Sequence, residues 1–412
     1  MPPAHQRDGD PHAGPDRHRA GGLRADRQGV GGHLSTAPVI RRVETAKDLA
    51  AFIDLPYRLH RRDPNWVPPF RAEVKKLLDR TKNPFFAHAE AQYFLAERGG
   101  EVVGRVAAIH NRLHNEVHHD RVGFFGFFEC INDFTVAAPL LDTASAWVQS
   151  QGLDTLRGPA SFSVNDECGL LIDGFDTPNT LMMPHNPPYY LTLLETAGFA
   201  KAKDLICLQA GSLENPLEPP ERTARAVALL TKRYGLTIRA LDMKHFQKEV
   251  ELVKVLYNAC WESNWGFVPM TDAEIDALAA GFKPVVIPNL VPFIEKDGKP
   301  IAFGLAMPDL NEVLHGNHSG GMFPASLTML WKLKTKQITR ARILLLGVVP
   351  EWRGKGIDSA LYHWIWSKAA AAGIGWGEAG WLLEDNTAII QGLTKTGFTP
   401  YKTYRLLDRP VT

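Results

Sequence analysis

The sequence predicts a mixed α/β fold written twice in tandem, and three observations carry that reading. First, two dipeptide marks recur at one spacing: Asn65-Trp66 is followed 199 residues later by Asn264-Trp265, and Gly198-Phe199 by Gly397-Phe398. A domain-sized period signals duplication of a whole unit rather than a solenoid. Second, each half opens with a strand, "VIRRVE" (39–44) and "LTIRAL" (236–241), and carries a β-hairpin in its middle. The hairpin turns, Gly99-Gly100 and Asp297-Gly298, have the chemistry of two-residue loops. Third, "ARILLLGVV" (341–349) is a near-continuous apolar run, expected of a central strand buried on both faces, and it feeds a glycine loop and a helix.

Residues 1–38 are rich in Gly, Pro, Arg, Asp and His and hold too few apolar groups to offset the entropy of ordering, so they read as a disordered tail. Residues 39–210 form the first copy and 235–412 the second. Residues 211–234 join them as a Pro- and Glu-rich connector followed by a helix. In the second copy, "GIDSALYHWIWSKAAAAG" is a helix stopped by Gly373, "WGEAGWLLED" the next strand, "TAIIQGLTKTGF" the next helix, and "YKTYRLLD" the closing strand. The first copy has no glycine loop after "FFGFFECIND"; it reads "FTVAAPLLDTASAW", with Pro139 at the expected helix start. The copy is therefore expected to bind no phosphate ligand. It keeps instead an irregular excursion, 161–190, dense in polar and turn residues. Long irregular segments in compact domains are disproportionately functional, so Asn165, Asp166, Glu167 and Tyr190 become candidates for an acceptor pocket; the alternative is a structural lid over the face between the halves.

The 46 basic and 45 acidic side chains nearly cancel, so no overall field draws the chain to nucleic acid or to an anionic membrane. Small molecules or peptides are the expected partners, and oligomeric state is not legible. The four cysteines, at 130, 168, 207 and 260, lack CxxC or zinc spacing. With no apolar run long enough to span a bilayer and no secretory-type N-terminus, the expectation is a cytoplasmic, soluble protein. "HNRLHNEVHH" spaces His110, His114 and His118 by four, a metal-ligand spacing on a helix, but the segment follows a strand and reads as a loop, so no metal is expected.

"PEWRGKGIDSAL" (350–361) lies where a buried strand meets a helix start, which presents free backbone N–H groups and the positive end of the helix dipole to an anion. Gly354 and Gly356 allow close approach, and Arg353 and Lys355 can add charge-assisted contacts. Asp358 sits where the anion would arrive. A carboxylate there opposes a phosphate by about 1 kcal/mol at 4 Å in water, unless it turns away and supports the first helical turn.

"LLLGVVPEWRGKGIDSALYHW" followed by "LEDNTAIIQGLTKTGF" resembles the two hallmark motifs of the GNAT superfamily of N-acetyltransferases, and through the repeat the likeness covers the chain from about residue 39 as a tandem pair. The resemblance implies acetyl-CoA or another acyl-CoA in a V-shaped opening between strands 341–349 and 376–384. Leu346 and Val348 would flank it, and the amides of Arg353, Gly354, Lys355, Gly356, Ile357, Asp358 and Ser359 would hold the pyrophosphate. Asn386 would contact the coenzyme arm, or cap the helix from Thr387. The implied activity is N-acyl transfer, most simply N-acetylation, to an amine of unknown identity. Alternatives are a non-catalytic acyl-CoA sensor and an aminoacyl- or long-chain acyl transferase of the two-domain type. The family's usual tyrosine acid is replaced by Leu393, and the usual glutamate on the central strand is absent. Period-2 alternation, if no bulge intervenes, places Glu378 and Glu384 on one face as the candidate bases.

Overall fold

The computed structural model describes residues 37–212, 214, 221–261 and 264–411. The tail and most of the connector's proline-rich part lie outside them. The first half holds β1 (Val39–Arg42), α1 (Ala46–Leu59), α2 (Arg71–Leu77), β2 (Ala89–Arg98), β3 (Glu101–Asn111), α3 (Arg112–His118), β4 (Val122–Cys130) and α4 (Phe134–Ser150). It continues with β5 (Thr155–Gly158), β6 (Ala160–Ser161), β7 (Glu167–Cys168), β8 (Leu170–Asp173), α5 (Tyr189–Thr196) and β9 (Ala200–Gly211). After α6 (Glu221–Tyr234), the second half holds β10 (Leu236–Ala240), α7 (Phe246–Trp261), α8 (Asp272–Phe282), β11 (Pro292–Lys296) and β12 (Lys299–Pro308). It ends with α9 (Asn311–Leu314), α10 (Ala325–Lys334), β13 (Arg340–Val348), α11 (Ile357–Ala371), β14 (Trp376–Leu383), α12 (Thr387–Lys395) and β15 (Thr399–Pro410).

The repeat is visible in the pairing. Strands β1 to β5 and β10 to β14 each form a run that is antiparallel except for its last pair. That last pair is parallel and short in both copies: Val122–Phe124 against Thr155–Arg157, and Arg340–Ile343 against Trp376–Ala379. The two runs meet in one sheet of order β1-β2-β3-β4-β5-β15-β9-β14-β13-β12-β11-β10.

The closing strands are exchanged. β15 from the second half lies beside β5 of the first, and β9 from the first lies beside β14 of the second, with β9 and β15 paired at the centre. The "YKTYRLLD" strand, expected to close its own half's sheet, instead fills the middle of the common one. Among the described residues β1 and β10 end the main run of strands, and the exchange pairs β9 and β15 at its centre, covering two ladders that would otherwise invite aggregation.

Two local expectations are revised. α4 begins at Phe134, not at Pro139, because the Asp133 carboxylate caps it by accepting from Thr135 N at 2.9 Å, and Pro139 is carried inside the helix. The histidine-rich stretch is helical after Asn111, whose side chain accepts from His114 N at 3.3 Å. His114 is buried, and burial pushes its pKa down to about 3, so the imidazole is neutral. Its ring lies 4.5 Å from that of His118.

The excursion 161–190 packs between the halves. Asn179 O accepts from Asn311 Nδ2 (2.9 Å), Leu181 N donates to Asp309 Oδ1 (3.0 Å), and Lys402 Nζ donates to Thr177 O (2.8 Å) and to Gly174 O. These bonds satisfy loop backbone that would otherwise be buried without partners.

Candidate active site

Past Ile343, β13 keeps β12 as its neighbour up to Val348 opposite Ala302, while β14 bends toward β9 through a bulge between Ala379 and Leu382. The two strands therefore splay into a wedge. Val349 N donates to Ile301 O at 3.0 Å, so the alternation of an antiparallel ladder turns the N–H of Val348 away from β12 and into the opening. The expectation of a strand buried on both faces fails here in an informative way. Ile343, Leu344, Leu345, Leu346 and Val348 are only half-buried, which is unusual for consecutive apolar residues in a strand inside a sheet. The same part of the first copy is closed. β6 crosses it so tightly that a Cβ on Gly126 would lie 2.1 Å from Ala160 O, and Phe127 N donates to Ser161 Oγ at 3.0 Å.

At the wide end of the wedge, Gly354 (φ 72°) and Gly356 (φ 80°) adopt left-handed backbone, and α11 starts at the buried Ile357 with no side chain capping it. Its first N–H groups are therefore available to an anion. Arg353 does not reach outward: its guanidinium donates to Val348 O (3.2 Å) and Cys260 O (2.8 Å). Lys355 lies over the Trp352 ring at 4.6 Å and donates to Glu351 O. These two cations hold the loop's shape. Asp358 is in the first turn of α11 and caps no N–H group; with burial as the larger cause, its charge helps push the Tyr362 hydroxyl up. Ser359 is exposed beside it.

The acid–base candidates separate sharply. Glu378 is fully buried: Arg342 Nε lies 2.9 Å from its Oε1, Thr180 Oγ1 donates to it at 2.8 Å, and the Tyr401 hydroxyl donates to its other oxygen. A carboxylate so engaged is a structural tie between the halves, not an available base. Glu384 accepts from Lys201 Nζ (2.6 Å) and Asp204 N (3.1 Å) at the strand end. The bulge after Ala379 is why the alternation joining Glu378 to Glu384 does not hold. Asn386 occupies the N-cap position of α12 without a side-chain cap bond. Leu393 is buried against Ala379 and Phe398.

Within the excursion, Tyr190 is 1 % exposed in the first half's core, donating to Glu129 Oε2 at 2.7 Å, so it is not a pocket residue. Asn165 ties the halves: it donates to Val268 O (3.0 Å) and accepts from the Tyr257 hydroxyl (2.8 Å). Asp166 accepts from Ser163 Oγ at 3.0 Å, and burial pushes its pKa up to about 6.

Glu167 differs from all of these. It is exposed to solvent and has no hydrogen-bond or ion-pair partner among the described residues. Protein nevertheless crowds it enough that burial, then the Asp166 carboxylate, raises its pKa, against the opposing pull of Arg105 and Arg342. The next residue, Cys168, packs with Trp381 and Leu383 of β14, and Val164 packs in the same cluster as Trp265. Tyr257 stacks on Trp261, whose ring fills the space beside Gly347 on β13. Trp265, Trp381 and Tyr257 were not legible as site residues; the only sign was Trp265's place in the repeated Asn-Trp mark.

No family model matches the sequence. Among characterised proteins the chain is 34% identical over 383 residues to Protein YghO of Escherichia coli K12, covering 92% of this chain and 97% of that protein. It is 36% identical over 385 residues to the bacterial ceramide synthase of Caulobacter vibrioides, covering 91% and 97%. Among solved structures it matches a tandem GNAT protein from the clavulanic acid biosynthesis pathway with TM-score 0.54 and 12% identity, over 91% of this chain and 99% of that one. A GCN5-related N-acetyltransferase from Sphaerobacter thermophilus gives 0.52 and 13%, over 91% and 96%. The chain belongs to one family with Protein YghO and the bacterial ceramide synthase, and its fold is that of a tandem GNAT protein. The two solved structures, at 12% and 13% identity, establish the fold alone. Among the described residues no helix is long and apolar enough to cross a membrane, and no group of three or more His, Cys, Asp or Glu is disposed to hold a metal ion.

Proposed function

We propose that the protein is an acyl-CoA-dependent N-acyltransferase whose acceptor is a long-chain amino alcohol of the sphingoid type. One observation carries the first part: a central strand that leaves five apolar residues half-open beside a splayed neighbour, next to an uncapped helix N-terminus. This fits a ligand with an apolar acyl chain at one end and phosphates at the other. The amides of residues 354–359 would take the phosphates, and Leu344, Leu345 and Leu346 the apolar portion. The acceptor class rests on the identity to the bacterial ceramide synthase, since a ceramide is the N-acyl derivative of such a base.

The thioester supplies the activated acyl group. Glu167 takes the proton from the incoming ammonium, its raised pKa making it a better proton acceptor than an ordinary glutamate. The N–H of Val348, turned into the wedge, donates to the carbonyl oxygen on which charge develops. The amine nitrogen adds to the thioester carbon, the carbon–sulfur bond breaks, the nitrogen's second proton passes to the departing thiolate directly or through water, and Glu167 returns its proton to solvent. Asn165, Tyr257 and the Arg342–Glu378 pair act as positioning residues, fixing the excursion against the second half.

The test offers acyl-CoAs of increasing chain length with a panel of amines including sphinganine, followed by thiol release and mass spectrometry of the N-acyl product. Product with the long-chain base supports the full reading, and product only with short amines removes the acceptor assignment. Binding without turnover across the panel would replace the enzyme by an acyl-CoA sensor.

A further inference from the structure

Among the described residues, five exposed large hydrophobic side chains fall together on α10 and the loop before it. Phe323 is 77 % exposed, Leu327 56 % and Trp331 55 %, with Met322 and Leu330 also exposed. Leu327, Leu330, Trp331 and Lys334 follow helical spacing and form the outward stripe of α10, while Ala325 and Met329 face the core. The helix is therefore apolar on both sides. Contiguous exposed apolar surface of this kind marks an interaction site.

Charge says what kind. No Asp or Glu occurs between Val313 and Pro350, a stretch that carries Lys332, Lys334 and Lys336 together with Arg340 and Arg342. The two arginines face inward, toward Asp309 and Glu378. The three lysines form no ion pair among the described residues, and Lys334 and Lys336 are exposed beside the apolar stripe. An aromatic and aliphatic stripe bordered by unpaired lysines is the composition of an interfacial helix, with Trp and Phe at headgroup depth and lysines on anionic lipid. The balanced charge of the whole chain hides this local surplus, which is why the sequence alone pointed away from a membrane.

We propose that the face made by Met322, Phe323, Leu327, Leu330 and Trp331, with Lys332, Lys334 and Lys336, docks on an anionic lipid bilayer. The inner side of the same helix packs through Met329 and Leu333 into the cluster that contains Leu344 of β13 and Leu181 of the excursion. Docking would set the wedge's apolar wall one helix away from the lipid surface. The inference concerns binding alone and stands whatever the acceptor proves to be.

Full-length protein is co-sedimented with sucrose-loaded vesicles of phosphatidylcholine alone or with one third phosphatidylglycerol, across a range of salt. The wild type is expected to pellet with the anionic vesicles and to be released as salt rises. Phe323→Ser/Leu327→Ser/Trp331→Ser should lower partitioning at least tenfold. Lys332→Glu/Lys334→Glu/Lys336→Glu should lower it roughly a hundredfold, at about fivefold per lysine lost, and remove the salt dependence. Five of the six residues are exposed and Lys332 is half-buried, so melting temperatures near wild type check that folding is retained. The proposal is overturned if the wild type fails to pellet, if either set pellets like wild type, or if neutral and anionic vesicles bind it equally. It is equally overturned if the wild type is a dimer in solution that the apolar set makes monomeric while neither binds vesicles, because the face would then join two copies of the chain.

Discussion

Replacing Glu167 by Gln probes the chemistry at its most exposed point. The change keeps size and removes an exposed carboxylate that has no hydrogen-bond or ion-pair partner among the described residues. General-base assistance contributes about 10²–10⁴-fold to rate, or roughly 2.7–5.4 kcal/mol of barrier at 1.36 kcal/mol per decade, so kcat/KM should fall by that factor with acyl-CoA affinity unchanged. The sign of the pH effect follows from the raised pKa. The base works only when deprotonated, so wild-type kcat/KM should climb as pH rises through the folded pKa of Glu167, above the ordinary glutamate value, and this limb should vanish in the variant. Stability should move the other way. A carboxyl whose pKa is raised on folding contributes stability that is present below the unfolded pKa and lost as pH rises through the folded one. At neutral pH the Gln variant should therefore melt at or above the wild-type temperature. Thiol release over pH 5–9 and thermal unfolding at pH 7 measure both. A variant within threefold of wild type, with the acidic limb intact, would refute the assignment.

Other consequences follow from the same geometry. Arg342→Met leaves Glu378 charged and unpaired in the core, which should cost about 3–5 kcal/mol, whereas Arg342→Met/Glu378→Leu should recover much of it in denaturant titrations; equal stability of the two would show that the pair is not a unit. Asp358→Asn should leave acyl-CoA affinity equal or up to about fivefold tighter, given like-charge repulsion of about 1 kcal/mol, while lowering stability by roughly 0.3–1 kcal/mol through the lost charge at the helix start. Calorimetry showing a large loss of affinity would mean that the carboxylate is directed at the ligand. Because β9 and β15 are exchanged, residues 37–220 and 221–412 expressed separately should each be insoluble, but co-expressed they should form a soluble complex. A well-folded isolated half would contradict the exchange.

The tandem plan, the hairpins and the loop-to-helix step were all legible in the sequence, because hydrophobic periodicity, turn chemistry and a 199-residue echo are local or self-referential signals. The amides of the glycine loop are likewise implied by Gly354 and Gly356, since such backbone depends on those residues themselves. What tertiary structure decided is which charges are free. Glu378 and Glu167 look alike in sequence, yet one meets Arg342, Thr180 and Tyr401 from distant segments, and the other meets no partner. Tyr190 was drawn into the core by Glu129 for the same reason. A side chain's partners come from strands and loops hundreds of residues away, and a bulge at Gly380-Trp381 is enough to undo an alternation argument. The exchange of β9 and β15 shows the same limit at the scale of the fold: the sequence by itself determined that two closing strands exist, and only long-range pairing decided that each completes the other half's sheet.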